Sequence, residues 1–529
     1  MDSRIIEAAR TAFRSNGSTL TLGALVHAGE CNAEPLAALP LAMANRHGLI
    51  AGATGTGKTK TLQLLAEQFS AAGVPVFLAD LKGDLSGLSM PGEASERVNQ
   101  RAKDTGYSWK AGGCPVEYLS LTGKGGAQLR ATVSSFGPLL LSRVLGLNDT
   151  QTSVLSMVFK YADDQKLALL DLADLRAVLQ YLSGDGAEEL ANYGGMSKAS
   201  VGVLLREMVE LEQQGAGAFF GNPEFDLDDL LAVKDGKGLV SVLQLRDVQD
   251  KPGLFSTFMM WMLARLYHEL PEVGDVDKPK LVFFFDEAHL LFDDASKEFL
   301  DQVEQVVRLI RSKGVGVWFV TQSPKDVPAD ILGQLGNRVQ HALRAFTPDD
   351  EKALRAAART FPKTDFYDVE EILTTLGIGE AFVTVLAPNG APTPPFAVRM
   401  IPPASRMGPL SEGELVSALA ASEQVREYAV AEDRDSAREA LARRMAGDSA
   451  AAAPVAPAAP VQPSGVPPVA EQQPDPGARA AETVAGAAAM VGAALNSPVG
   501  RQVARTLVST VTRGLLGALL GSPPRRRRR

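Results

Sequence analysis

The 529-residue sequence has few cysteines and no long hydrophobic run. Its two cysteines, Cys31 and Cys114, lack the spacing of metal ligands. A disulfide framework or a structural zinc site is therefore not expected, and the composition fits a reducing compartment. The longest apolar run, at 484–495, has 12 residues, short of the roughly 18 needed to span a bilayer. The N-terminal residues carry charges throughout and lack the apolar core of a signal peptide. We therefore expect a cytoplasmic protein without a transmembrane segment.

The sequence also lacks an excess of basic residues. Its net charge of −9 argues against a surface coated for nucleic acid. Residues 1–405 hold 38 Lys and Arg against 50 Asp and Glu, whereas residues 406–529 hold 15 against 12. The five arginines at 525–529 make the net charge of residues 406–529 positive. They would attract a polyanion, or they form a solvated tail without a partner. Any DNA contact of the main body must come from a local patch.

Short apolar runs alternate with helical patterns along most of the chain. Runs rich in β-branched and aromatic residues predict strands, and these lie at 47–52, 74–80, 116–121, 238–245, 280–287, 314–321 and 338–346. Helices are predicted between them, at 58–69, 253–270, 295–313 and 328–335. Near-continuous apolar strands that alternate with helices are typical of a parallel sheet covered on both faces. Two final strands, 380–386 and 395–401, are predicted to close one edge of the sheet.

Changes of pattern divide the chain into seven segments. They are an N-terminal segment (1–46), the phosphate-loop half of a core (47–137), an α-helical insertion (138–232), the second half of the core (233–405), a polar helical segment (406–448), an Ala/Pro-rich linker (449–480) and a small-residue amphipathic segment with a basic tail (481–529). Ser411 and Glu414 have the spacing of a capping box at the start of the polar segment. The linker cannot bury enough apolar surface to fold, so we expect a disordered C-terminal tail.

A phosphate-loop motif follows the first core strand and opens the first core helix. Its members, all expected to bind nucleotide, are Gly52, Ala53, Thr54, Gly55, Thr56, Gly57, Lys58 and Thr59. The glycines let the loop turn tightly and aim its N–H groups at phosphate oxygens. Lys58 would place a charge on the β- and γ-phosphates, and the Thr59 hydroxyl would bind Mg²⁺. The motif predicts ATP as substrate and Mg²⁺ as cofactor.

An acidic pair ends another predicted core strand. Five apolar residues at 281–285 precede Asp286 and Glu287. Ligands of open parallel sheets bind at the carboxyl ends of the strands, so this pair and the phosphate loop are expected to face one crevice. There Asp286 would hold Mg²⁺ through its waters, and Glu287 would act as general base on the attacking water. Alone, such a strand end is ordinarily a solvated turn; the phosphate loop favours the functional interpretation.

Three polar residues near the next strand ends are candidates for contact with the γ-phosphate. Gln322 follows the strand at 314–321 and would lie between the two motif strands, unless it only caps its own strand. Arg338 and Arg344 flank the next strand, and either could stabilise charge on the γ-phosphate. Arginines are mostly solvated surface residues, so the sequence leaves the choice between the two open.

Taken together, these motifs resemble the HerA/FtsK group of hexameric DNA-pumping ATPases, and within it the bacterial HerA-like (YjgR-type) family. The resemblance covers roughly residues 15–405, and its motifs are GATGTGKT, DLKGD, GPLLLSRVLGLNDTQ, FFFDEAHLLF, RSKGVGVWFVTQSPKDVP and LGNRVQHALRAFTPDD. It implies a RecA-like α/β P-loop NTPase fold with a mostly parallel sheet. In the group, a glutamine after the sensor strand and an arginine on the following strand serve the same or a neighbouring active site. They correspond to Gln322 and Arg344, which join Glu287 as expected catalytic residues.

The sequence departs from the group in two respects. Archaeal HerA-type proteins carry an N-terminal β-barrel, for which about 50 residues before the phosphate loop are too few, and no FtsK-like membrane segment or DNA-reading winged helix is visible. The resemblance therefore implies ring formation and ATP hydrolysis more strongly than it implies DNA pumping.

Two functions remain open at this stage. The first is a homo-hexameric motor, a translocase or helicase-like ATPase on double-stranded DNA, with an unidentified nuclease or other protein as a possible partner. The alternative is an ATP-dependent scaffold or protein-remodelling ATPase that its C-terminal tail recruits to a partner or membrane. Stimulation of ATP hydrolysis by DNA would distinguish them.

Overall fold

A twelve-stranded mixed sheet is the centre of the computed structural model, which describes residues 1–292, 297–432 and 435–451. The strands are β1 (Thr19–His27), β2 (Glu30–Pro40), β3 (Gly48–Ala51), β4 (Val76–Asp80), β5 (Val116–Ser120), β6 (Ala127–Gln128), β7 (Val233–Lys234), β8 (Lys237–Gly238), β9 (Val240–Gln244), β10 (Leu281–Phe285), β11 (Val315–Thr321), β12 (Asn337–His341), β13 (Glu380–Thr384) and β14 (Phe396–Met400). The order in the main sheet is β2-β1-β14-β13-β12-β3-β11-β10-β4-β9-β5-β6, and β7 and β8 form a separate hairpin.

Helices cover both faces of this sheet. They are α1 (Ser3–Ala12), α2 (Lys58–Ala71), α3 (Glu96–Asp104), α4 (Val133–Val144), α5 (Asp149–Asp164), α6 (Leu172–Ser183), α7 (Lys198–Gln213), α8 (Pro252–Glu269), α9 (His289–Phe292), α10 (Lys297–Ile310), α11 (Ala329–Leu332), α12 (Pro348–Ala358), α13 (Val369–Thr375), α14 (Glu412–Ala421), α15 (Glu423–Tyr428) and α16 (Ala437–Ala451).

Alternate residues of the central strands enter two separate hydrophobic cores. Phe283 and Phe285 of β10 pack into one core, with α8, α10 and the helices α4 to α7. Phe284, between them, packs into the other core, with α2 and the N-terminal elements. Because successive side chains of a strand point to opposite faces, a strand that is apolar at every position is buried on both.

The predicted α/β fold with a mostly parallel sheet is confirmed. From β12 through β3 to β6, neighbouring strands are parallel, whereas β12, β13, β14, β1 and β2 pair antiparallel. Residues 449–451, the first of the predicted disordered linker, are the last residues of α16. The rest of the predicted disordered tail, residues 452–529, lies outside the described residues.

The structure corrects three local predictions. The strands at 380–386 and 395–401 do not form the sheet edge, because β14 pairs with β1 and the β1–β2 hairpin lies outside it. The first helix of the insertion begins at Val133 rather than 138, and Gly137, with φ 77°, interrupts it. The strand expected at 338–346 ends at His341.

The predicted polar helical segment after the core consists of three helices, α14, α15 and α16. The predicted capping box is present at the start of α14: Ser411 accepts a hydrogen bond from the Glu414 amide, and the Glu414 carboxylate accepts one from the Ser411 amide. Residues Met1–Met445 form one compact unit. Among the described residues, none of the helices is long and apolar enough to cross a membrane; the cytoplasmic location stays a prediction.

Candidate active site

The phosphate loop connects β3 to α2 as predicted, and its glycines take backbone angles that other residues avoid. Gly52, Gly55 and Gly57 have φ values of 151°, 79° and 121°. A Cβ atom on Gly52 would lie 2.5 Å from the Cβ of His341. The loop is fixed by backbone hydrogen bonds from Ala53 to Ala342 (2.8 Å) and from Gly52 to Thr321 (3.2 Å), and from Gly379 to Thr56 (2.8 Å). These bonds anchor the loop to the last residue of β11, to the segment that follows β12 and to the turn that precedes β13.

Lys58 lies inside this loop. Its ammonium group donates to the carbonyl oxygens of Gly52 at 2.7 Å and Ala53 at 3.3 Å. Burial lowers the pKa of Lys58, and the charges of Glu287 and Asp286 oppose that shift. The structure therefore places Lys58 within the electrostatic field of the acidic pair, although the two motifs are far apart in sequence.

Three strands bring the predicted site residues to one edge of the sheet. β11 lies between β3 and β10, with Thr321 opposite Ala51 and Phe319 opposite Phe285. These strands are parallel, and residues near their carboxyl ends pair with one another. The phosphate loop, Gln322 and the acidic pair therefore all follow the strands at the same edge of the sheet. This is the edge where open parallel sheets bind ligands.

Glu287 is buried and has an uncommon backbone conformation, with φ 49°. Its Oε1 forms an ion pair with the ammonium of Lys82. Its Oε2 lies 3.5 Å from Nδ1 of His289 and accepts no hydrogen bond from any described residue. Burial opposes ionisation, but the hydrogen bond and charge of Lys82 outweigh it and hold the pKa of Glu287 below its ordinary value. The site thus contains a buried carboxylate whose pKa is lowered and whose Oε2 has no hydrogen-bond partner among the described residues.

Lys82 reaches Glu287 from the turn that follows β4. The carboxylate of Asp80 accepts hydrogen bonds from the amides of Gly83 at 2.7 Å and Leu85 at 3.0 Å, which fixes this turn. Burial raises the pKa of Asp80 to about 6, and those two hydrogen bonds oppose the shift. About half of the Lys82 side chain remains exposed, with 49% of its surface accessible, so the pair is open to the crevice on one side.

Asp286 and Thr59 have the donor atoms that a magnesium site requires. Burial, and then the charge of Glu287, raise the pKa of Asp286 to about 7. Its Oδ1 accepts a hydrogen bond from the Glu287 amide at 3.0 Å. A buried carboxylate beside a second carboxylate is stabilised by a cation, and Mg²⁺ prefers carboxylate and hydroxyl oxygens. The residues present therefore fit the metal.

Gln322 is exposed at the end of β11, in a turn that its neighbours fix. Asp326 accepts hydrogen bonds from the Thr321 hydroxyl at 2.6 Å and from the Ser323 amide at 2.9 Å. Gln322 therefore follows the strand that lies between β3 and β10, and its contact with the γ-phosphate stays a prediction.

The two candidate arginines differ in position and in partners. Arg338 is opposite Leu49, near the amino end of β12, and its guanidinium donates to the carbonyls of Leu335, Leu332 and Thr360. Arg344 lies beyond β12, two residues after the carbonyl that binds Ala53, and it is exposed. It has no ion pair with any residue that the structure describes. The structure therefore puts Arg344, and not Arg338, at the carboxyl edge.

Sequence reasoning missed two residues of this site. Lys82 is the partner of Glu287 and lies in the DLKGD segment, in which the sequence analysis assigned no site residue. His341 is fully buried behind the phosphate loop, where its Nε2 contacts the Thr61 hydroxyl and its Nδ1 the Glu380 carbonyl, both at 2.8 Å. Burial lowers the pKa of His341 to about 4, so the ring is neutral. The available signal was a polar residue within an apolar strand.

Two probable helicases of Methanocaldococcus jannaschii are similar to parts of the chain. One is 27% identical over 154 residues, which are 27% of this chain and 28% of that protein. The other is 32% identical over 110 residues, 21% of this chain and 20% of that protein. The matched part spans less than a third of either relative.

Two solved structures are similar to this chain at low sequence identity. The plasmid coupling protein TrwB in complex with ADP and Mg²⁺ is 16% identical, with a TM-score of 0.49 over 74% of this chain and 91% of that chain. VirB4 of Thermoanaerobacter pseudethanolicus is 14% identical, with a TM-score of 0.45 over 73% of this chain and 96% of that chain.

A model of the family described as Helicase HerA-like C-terminal matches residues 27–528. This match includes the phosphate loop and the acidic pair after β10. The chain therefore belongs to the HerA-like helicase family of P-loop ATPases.

Proposed function

We propose that this protein hydrolyses Mg·ATP at the crevice between the phosphate loop and the acidic pair. The observation that carries the proposal is the free Oε2 of the buried, ionised Glu287 at the same sheet edge as Lys58. Residues 52–59 would hold the triphosphate through backbone N–H groups and the Lys58 ammonium. Thr59 and Asp286 would hold Mg²⁺, which supplies positive charge to the phosphate oxygens when it is bound.

Glu287 would act as the general base. Its free carboxylate oxygen takes a proton from water as the water oxygen bonds to the γ-phosphorus and the bond from that phosphorus to the bridging oxygen breaks, which yields ADP and phosphate. Lys82 would position this carboxylate through Oε1. Gln322 would contact the water or the γ-phosphate from the end of β11.

We further propose that the protein works as a homo-hexameric ring in which Arg344 serves the neighbouring subunit. The support is that Arg344 is exposed beside the phosphate loop and has no ion pair within the described part of the chain. Arginines presented in this way stabilise charge on a departing γ-phosphate.

Membership of the family supports a motor function in which the protein moves double-stranded DNA. An assay of ATP hydrolysis by the purified full chain tests this proposal. Phosphate release would be measured with and without linear duplex DNA over a range of salt concentrations, with Lys58→Ala as the inactive control. We expect hydrolysis that DNA stimulates and that salt progressively uncouples from DNA. Turnover that ignores DNA at every salt concentration would instead favour the scaffold or protein-remodelling function.

A further inference from the structure

A rigid turn lies directly against the outside of the phosphate loop. It comprises residues 377–380, closed by a hydrogen bond from the Glu380 amide to the Gly377 carbonyl at 3.0 Å. The Gly379 amide donates to the carbonyl of Thr56 at 2.8 Å. A Cβ atom on Gly57 would lie 3.3 Å from the Cα of Gly379. The turn is therefore part of the wall of the nucleotide site.

The turn is held from behind by an arginine of α3. The guanidinium of Arg101 donates to the Ile378 carbonyl at 2.8 Å and the Gly379 carbonyl at 3.2 Å. Gly379 has φ 72°, a conformation that glycine adopts without strain. Glu380 also pairs with Arg399 at 2.9 Å, and Arg399 pairs with Asp104 of α3 at 3.2 Å. The backbone of the turn is thus fixed before any ligand binds.

Ile378 is presented outward by this fixed turn. It is 73% exposed, although it lies one residue from the backbone that contacts the phosphate loop. An isoleucine that is so exposed on a rigid support contributes little to the folded core. Its exposed position beside the phosphate loop suggests that the Ile378 side chain contacts a molecule bound at the nucleotide site.

A second exposed apolar side chain borders the same loop. Lys60, in the first turn of α2, donates to the Met407 carbonyl at 2.9 Å. Met407 is 40% exposed. Gln63, one turn further along α2, donates to the Arg406 carbonyl at 2.8 Å, so the segment before Met407 runs along the helix toward the loop. Ile378 and Met407 are therefore both anchored to the loop–helix junction, by independent hydrogen bonds.

We propose that Ile378, with Met407, forms the subsite for the nucleobase of the bound nucleotide. The base is joined to the β-phosphate through the ribose and the α-phosphate, so it must rest on surface next to the phosphate loop and outside it. A planar base buries both faces most favourably against apolar side chains that need not move. Thioether and aliphatic groups supply such contacts. This proposal rests on the proposed nucleotide site and names the part that recognises the base.

The test separates the base from the phosphates. Binding of a non-hydrolysable ATP analogue and of inorganic tripolyphosphate, each with Mg²⁺, is measured by calorimetry on the full chain. For Ile378→Ala we expect the affinity for the ATP analogue to fall by about tenfold, while the affinity for tripolyphosphate is unchanged. Ile378→Leu should retain most of the ATP affinity, because it keeps the apolar surface.

Val430→Ala is the matched control. Val430 is also 73% exposed, in the segment after α15, so its substitution should leave the affinities for both ligands unchanged. Thermal unfolding checks that each variant is folded, and light scattering checks its oligomeric state.

Every other outcome of these binding measurements contradicts either the base subsite or the proposed function. If Ile378→Ala weakens both ligands equally, or neither, Ile378 does not contact the base and the proposal is overturned. If the variant instead changes only the oligomeric state, Ile378 belongs to an interface between subunits, and the proposal is equally wrong. If the unmodified chain binds tripolyphosphate and the ATP analogue with equal affinity, the nucleotide site stands but the base subsite does not. If it binds neither ligand, the proposed function itself fails.

Discussion

Arg344→Ala and Glu287→Gln should each be inactive alone, yet restore activity when mixed. Arg344 is exposed beyond β12, in a segment that Ala53 of the phosphate loop anchors through the Ala342 carbonyl at 2.8 Å. Loss of an arginine that stabilises the γ-phosphate costs about a thousandfold or more in turnover. Loss of the general base costs at least about a hundredfold. Neither change removes Lys58, so both variants should still bind ATP.

The size of the recovery follows from ring geometry. In a ring with head-to-tail interfaces, one subunit supplies the phosphate loop and Glu287, and its neighbour supplies Arg344. In an equal mixture with random assembly, about one quarter of interfaces combine an intact Glu287 with an intact Arg344. Phosphate release should therefore reach about one quarter of the unmodified rate, at least tenfold above either variant alone.

The assay requires subunits to exchange, which energy transfer between differently labelled variants would establish. If Arg344 acts within its own subunit, every site in the mixture lacks one group, and activity stays at background. Absence of recovery despite demonstrated exchange would refute the assignment in trans. Arg359→Ala is the control, because Arg359 is an exposed arginine at the end of α12, and its loss should leave turnover near normal.

Three further perturbations test other parts of the site and chain. Lys58→Ala should abolish ATP binding in a fluorescence titration, because the loop loses its charge for the phosphates; binding that persists would contradict its assignment. Gly52→Ala combines φ 151° with a contact of 2.5 Å to His341, and should lower the free energy of unfolding by about 2–5 kcal/mol in urea titration. Gly55→Ala, with φ 79° and open space around it, should cost only about 1–2 kcal/mol, and equal costs would contradict this account. Truncation at Gly447 should leave a folded ATPase, since the compact unit ends at Met445, but should weaken salt-sensitive binding to DNA or acidic vesicles; a soluble but inactive product would refute this boundary.

The positions of the main motifs could be predicted because they depend on a local signal and one topological rule. The phosphate loop and the acidic pair each follow a short apolar run, and each run became a buried strand, β3 and β10. Parallel strands share a carboxyl edge, so residues that follow them meet without any knowledge of long-range contacts. The same rule puts Gln322, which follows β11, at this edge, although it does not determine which strands are the neighbours of β11.

Strand neighbours and strand ends could not be predicted in this way. β2 contains Pro35 and several polar residues, and its pairing with β1 at the sheet edge depends on contacts that no local pattern encodes. The predicted strand extends to Phe346, yet the observed strand β12 ends at His341. It stops because the Ala342 carbonyl accepts from Ala53, and the Leu343 amide donates to Leu373. The backbone groups that would extend the ladder are used elsewhere.

The contacts of the charged residues in the site are even less predictable from local sequence patterns. Lys82 and Glu287 are 205 positions apart in sequence, and their ion pair exists only because β4 and β10 are neighbours. The choice between Arg338 and Arg344 likewise could not be made from the sequence, because both residues belong to the same predicted strand. The choice depends on strand direction: the residue near the amino end donates to three backbone carbonyls, and the residue beyond the carboxyl end stays exposed. The type of a charged residue suggests its chemistry, whereas its strand end determines whether that chemistry can reach the nucleotide.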